Sequence, residues 1–130
     1  MGIEVMWDQE NIIRWECVET WDIGDFYMAV SHTCQMMDTS KNHIDLIISF
    51  VGQRMPVNLI SHLGKLQPRF PQDTLIVVIE SNRLVSSIVN ITRRVFGESV
   101  LEGAPTLQAA RARILAHQDE LRDRTRPIKA

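Results

Sequence analysis

Apolar and polar residues alternate along this chain with two different periods, and the exchange of one period for the other sketches an architecture. Ile3, Val5 and Trp7 alternate with Glu4, Met6 and Asp8, the period of two expected of a half-buried strand. After the polar turn Asp8-Gln9-Glu10-Asn11, Ile13, Trp15 and Cys17 alternate with Arg14 and Glu16. A turn this short makes the two strands an antiparallel hairpin. The period then changes. Ile23, Phe26, Tyr27, Val30, Cys34 and Met37 recur at helical spacing, behind Asp22 as N-cap and with Asp25 in the first turn, where the helix dipole favours negative charge.

Strand and helix patterns keep alternating. Leu46, Ile47, Ile48, Phe50 and Val51 form a nearly continuous apolar run within residues 44–51, as expected of a central strand covered on both faces. Pro56 suits a helix start, Leu59, Leu63 and Leu66 give a short stripe, and Pro68 and Pro71 end it. The segment from Thr74 to Glu80 is the most strand-like of all, rich in β-branched residues. Ser81 or Asn82 then caps a helix with one stripe of Leu84, Ile88, Ile91 and Val95 and a second of Val85, Val89 and Phe96; a face this wide predicts a well-buried helix, closed by Gly97. Ser99-Val100-Leu101 reads as a last short strand and Gly103-Ala104-Pro105 as a turn. Thr106 starts a final helix with Leu107, Ala110, Ile114 and Leu121 inward.

The order is β-β-α-β-α-β-α-β-α. That predicts an α/β protein with a mostly parallel sheet built from right-handed crossovers and an antiparallel N-terminal edge strand. At 130 residues the chain is one domain, residues 1–123, with a frayed tail over 124–130 that contains Pro127. Such a chain buries enough surface to need no disulfide or metal.

Over its whole length this order resembles the STAS-like superfamily, the fold of anti-sigma-factor antagonists, and within it small uncharacterised bacterial members. The residues that carry the resemblance are Ile3-Glu4-Val5, the Trp-rich second strand running into Asp25-Phe26-Tyr27, His43-Ile44-Asp45-Leu46-Ile47, and Thr106-Leu107-Gln108-Ala109-Ala110-Arg111. The resemblance implies a non-enzymatic protein-interaction or regulatory module with a protein partner or a second copy of itself, as in a homodimer. Antagonists of this type carry a phosphorylatable serine, in an Asp-Ser context, at the start of the helix after the central strand. Here that stretch reads Arg54-Met55-Pro56-Val57-Asn58, without Ser or Thr, so the usual serine switch is not expected. The superfamily also resembles lipid-carrier domains of the CRAL-TRIO type, which keeps a small-molecule or lipid-binding domain as the alternative. An enzyme comes third, because no catalytic residues stand out: there is no G-x-S-x-G elbow, and Asp22 and Asp25 are accounted for by the helix start.

Charge and cysteine usage narrow the picture modestly. The net charge of −2 points to neither nucleic acid nor membrane as partner. Residues 1–60 hold nine acids and three bases, and residues 61–130 seven acids and eleven bases; a fold that mixes the halves erases this, whereas a bipolar surface would favour self-association. Cys17 and Cys34 make neither a disulfide framework nor a metal cluster. With no basic-then-apolar leader at the N-terminus, a cytoplasmic location is expected.

Ligands of open α/β sheets collect beyond the carboxyl ends of the strands. Three segments qualify: Gly52-Gln53-Arg54-Met55, Ser81-Asn82-Arg83 and Glu102-Gly103-Ala104. The second has a helix N-terminus and a guanidinium, which suit an anion or a partner's carboxylate. The candidate anion- or partner-binding set is therefore Arg54, Asn58, Ser81, Asn82 and Arg83, set against the plainer reading that Ser81 and Asn82 only cap the helix. His32, His43, His62 and His117 show no ligand-pair spacing, so neither a metal nor a cofactor is expected. Arg93-Arg94 with Arg111 and Arg113 offer either one basic face across the last two helices or a solvated surface. Trp15 and Ile13 are expected in the core.

Overall fold

A computed structural model describes residues 2–18, 20–51, 55–56 and 58–125. The strands are β1 (Ile3–Gln9), β2 (Ile12–Cys17), β3 (Asp45–Phe50), β4 (Ile76–Ile79) and β5 (Glu102–Ala104), and the helices are α1 (Ile23–Asp38), α2 (Leu59–Gly64), α3 (Arg83–Phe96) and α4 (Leu107–Thr125), with a short 3₁₀ turn at Gln67–Arg69. The element order is the expected one. The five strands lie side by side in chain order, β1 antiparallel to β2 and every other pair parallel. The protein is thus an α/β protein with a five-strand mixed sheet. Among the described residues no helix is long and apolar enough to cross a membrane.

That strand order decides where the helices go. Right-handed crossovers that always step in the same direction leave their helices on the same face. Accordingly α1, α2 and α3 pack on one face, against Ile13, Trp15, Leu46, Ile48, Ile76 and Val78. The other face carries Ile12, Ile47, Leu75, Val77 and Ile79 and receives α4 through Ala110 and Ile114. β3 and β4 are therefore buried on both sides, as their continuous apolar runs require.

Trp15 is fully buried. Its ring meets Phe26 of α1 edge to face at 5.6 Å, and its indole N–H donates to the Thr33 hydroxyl at 2.7 Å. Trp21 stacks near both Phe26 and Phe50. Asp22 caps α1 in a reciprocal capping box with Asp25, and Thr106 accepts from the Ala109 N–H at the start of α4.

Several expectations need correction. Trp7 shares the apolar alternation of Ile3 and Val5 but is 46% exposed, at the end of an edge strand whose residues are at most half-buried. The last strand is Glu102–Ala104, not Ser99–Leu101: pairing with Val77–Ile79 of β4 selects it, while Leu101 is buried as a packing residue. Helix α2 starts after Asn58, which takes a left-handed φ of 68° and makes no side-chain cap, rather than at Pro56. Arg124 and Thr125 still belong to α4; the rest of the expected tail lies outside the described residues. The single basic face does not form, since α3 and α4 lie on opposite sides of the sheet.

Most consequential is α3. Val85, Ile88 and Val89 are buried, yet Leu84, Ile91 and Val95 are 47%, 41% and 64% exposed. The reason is length. Val95 borders a groove shared with α2, and α2 has six residues against fourteen in α3. At 1.5 Å per residue the shorter helix cannot cover the stripe.

Candidate functional site

Of the five residues expected to gather beyond the strand carboxyl ends, the structure describes four. Ser81 donates its hydroxyl to the Phe50 carbonyl at 3.0 Å, tying the start of α3 to the end of β3. Asn82 caps α3 by accepting from the Val85 N–H at 3.0 Å. Arg83 is exposed at the first helical position. Asn58 lines a groove with α2 residues, and Arg54 lies outside the described residues. Glu80 adds negative charge close by. Its carboxylate accepts from Ser86 at 2.6 Å and leans over Gly103, where a Cβ would collide with it. Gly103 itself is a β5 residue rather than part of a binding loop.

The groove beside Asn58 is a shallow depression of about 540 Å³ between α2 and α3, lined by Met55, Leu59, Ile60, Ile88, Val95 and Phe96 among others. Val95, one end of the exposed α3 stripe, lines it. Helical periodicity sets Arg83 and Arg94 on the solvent flank of that stripe, and α3 contains three arginines and no acid. A depressed apolar surface with a basic border is the result. Gly64 sits beneath it on α2, so close to Phe96 that no Cβ fits.

A second constellation lies at the opposite, amino end of the parallel strands. Asp45 begins β3 and is fully buried. Its carboxylate accepts from the Leu75 N–H at 2.7 Å and from Gln118 of α4 at 2.9 Å, and one oxygen lies 2.7 Å from His43 Nε2 and 3.9 Å from His117 Nε2. His117 also donates to the Asp73 carbonyl at 2.7 Å. Sequence reasoning missed this group because its histidines were sought at close spacing. Two signals pointed to it. His43 and Asp45 are two apart in an extended segment, hence on one face. His117 and Gln118 fall at helical spacing between the inward Ile114 and Leu121 of α4, polar residues within an apolar stripe.

The remaining titratable groups are structural in setting. Arg111 donates twice to Asp8, at 2.7 Å each, and Arg14 adds a contact at 3.1 Å. The hydrogen bonds from Arg111 hold the Asp8 carboxyl below its ordinary range; burial opposes that, and the charges of Arg111 and Arg14 reinforce it. Arg113 grips Glu102 with two bonds at 2.8 and 3.0 Å. Burial, with help from the Glu16 charge, pushes the Cys17 thiol up to about 12. Burial and Asp38 likewise raise Cys34, against the pull of Arg69. Neither thiol is poised as a nucleophile. Tyr27 and His62 share a hydrogen bond of 2.7 Å between α1 and α2.

Compared with protein-family models, curated proteins and solved structures, the chain matches none of them.

Proposed function

We propose that this protein is a non-enzymatic interaction module that seats an acidic, amphipathic helix of a partner protein in the groove between α2 and α3. One observation carries the reading: Leu84, Ile91 and Val95 form a solvent-exposed apolar line on a helix that is otherwise well packed. Scattered apolar residues on a surface need no explanation, but a row at helical spacing whose Val95 end lines a depression matches the groove that an amphipathic helix fills.

Charge selects the kind of partner. Arg83 and Arg94 border the row, and α3 itself carries no acid, the Glu80 carboxylate just before it being held by Ser86. A second copy docking face to face would set arginine against arginine, whereas a helix with Asp or Glu beside its apolar face would pair with them. The sheet edge is a weaker docking surface. β1 carries a bulge between Trp7 and Gln9 and an exposed Glu4, the features that discourage strand addition. A regulatory role of the STAS-like kind is consistent with this picture; its support is the β-β-α-β-α-β-α-β-α order. It would work by docking alone, since Met55, Pro56 and Asn58 offer no hydroxyl where that family places its serine.

The test uses two designed helical peptides with the same apolar face, one flanked by glutamates and one by lysines, titrated into isotopically labelled protein. The glutamate peptide is expected to shift α2 and α3 resonances, to bind more weakly as salt rises, and to lose at least tenfold in affinity with Val95→Asp. Equal binding of both peptides, or binding of neither, would overturn the reading. So would a dimer that Val95→Asp dissolves.

A further inference from the structure

We infer that His43, Asp45 and His117 form a binding site for a first-row divalent cation such as Zn²⁺. This is independent of the proposed docking groove, which lies on the other side of the sheet. One oxygen and one nitrogen from each histidine come within 4.8 Å of one another. Zinc bonds of about 2.0–2.2 Å to such atoms hold them about 3.3 Å apart in a tetrahedron. The Asp45 oxygen is already 2.7 Å from one nitrogen and 3.9 Å from the other. The adjustment needed is thus small, well within a side-chain torsion.

Two further observations point to a cation. First, Asp45 is fully buried, and among the described residues its bonded ion-pair partners are the two histidines, while the Arg113 charge acts on it from farther off. A carboxylate this deep is normally paired with a fixed positive charge or bound to a metal. Second, its other contacts are of the supporting kind. The Leu75 N–H and Gln118 hold the carboxylate in place, as neighbours of a metal-bound carboxylate do. In the metal-free arrangement the Nε2 protons of His43 and His117 point at Asp45 and at the Asp73 carbonyl. The cation takes the place of those two protons. Each ring then offers its Nε2 lone pair to the cation.

The three residues leave a coordination position open. His43 lines a groove of about 350 Å³ together with Gln118, Asp73, Asn42, Leu121 and Arg122 among others, from which water or an anionic ligand can complete the sphere. Two nitrogens and one carboxylate oxygen favour zinc, cobalt, nickel or iron(II) over calcium or magnesium, which prefer oxygen alone.

The full chain, stripped with chelator, is titrated with Zn²⁺ by calorimetry and with Co²⁺ by visible absorption. One equivalent is expected to bind, with the intense d–d bands of a tetrahedral site and no thiolate charge-transfer band. His43→Gln and His117→Gln, each checked by circular dichroism for an intact fold, should each weaken Zn²⁺ binding on the order of 100-fold; Gln118→Ala should do so by about 10-fold, and His32→Gln not at all. Binding that survives both His43→Gln and His117→Gln would overturn the site, as would a thiolate band implicating Cys34 or the absence of stoichiometric binding to the wild-type chain. If a histidine variant unfolds, the Co²⁺ spectrum of the wild-type chain decides: an octahedral or thiolate signature would sink the proposal.

Discussion

The two faces of the sheet are closed by different means. Three helices cover one face, and they do it with large apolar side chains: Trp15, Phe26, Phe50, Leu63 and Leu66 are all nearly or completely buried there. A single helix covers the other. Its apolar contact is small, centred on Ala110 and Ile114, and polar ties supply the rest. Arg111 reaches back to Asp8 on β1, Arg113 to Glu102 on β5, and Gln118 to Asp45 and the Asn11 carbonyl. One face is held by non-directional packing that tolerates small shifts. The other is fixed in register by directional bonds, each demanding its partner. The polar face is thus the one able to hold side chains at ligand-binding distances, and the packed face has apolar surface left over at its rim.

The comparison can be broken most forcefully on the packed face. Trp15→Ala removes the largest buried side chain and strands the Thr33 hydroxyl, so urea unfolding should show a loss of about 3–5 kcal/mol. A loss under about 1 kcal/mol would mean that α1 does not depend on this contact. On the other face, Asp45→Ala should cost about 2–3 kcal/mol, because it leaves the buried Leu75 N–H without an acceptor. The same measurement on Asp45→Asn, which keeps a carbonyl for that N–H, should recover part of the loss.

Acid sharpens the contrast. The Asp8 carboxyl lies below its ordinary value of 3.8 in the folded protein and near that value when unfolded. Its contribution is therefore complete above about pH 5 and fades as the pH falls through 3.8 toward the lowered folded value. Asp8→Asn is expected to cost about 1–3 kcal/mol at neutral pH, and the gap from wild type should narrow steadily below pH 5. A gap that stays constant down to pH 2 would show that the Arg111 pair contributes nothing through charge. The smallest effect is expected at the exposed row on α3. Leu84→Ser and Val95→Ser should each change stability by no more than about 0.5 kcal/mol, whereas Val89→Ala in the same helix should cost about 1–2 kcal/mol. A large loss at Val95 would place that residue in the core and remove the basis of the docking proposal.

Much of the fold was legible because short-range chemistry writes it. Period-two alternation in Ile13, Trp15 and Cys17, the apolar runs of β3 and β4, and the caps Asp22, Asn82 and Thr106 each describe a local event. The candidate sites were harder to read. Ser81 and Asn82 stand at the start of α3 as expected, Asn58 precedes α2 without a side-chain cap, and Arg54 lies outside the described residues. The α3 stripe was read as core since periodicity reports which residues share a face, not whether another element is long enough to cover it. The position of β5 was misjudged because Leu101 is as apolar as a strand residue, while strand identity depends on pairing with β4.

The sequence by itself determined the elements, their order and which side of each is apolar, since these follow from backbone propensity and side-chain spacing over a few residues. Only the tertiary structure decided that His117 on the last helix meets His43 and Asp45 at the head of β3, and that Leu84, Ile91 and Val95 remain in water. Both outcomes depend on where a distant segment comes to rest and how far it extends, and neither is encoded in the spacing of neighbours along the chain.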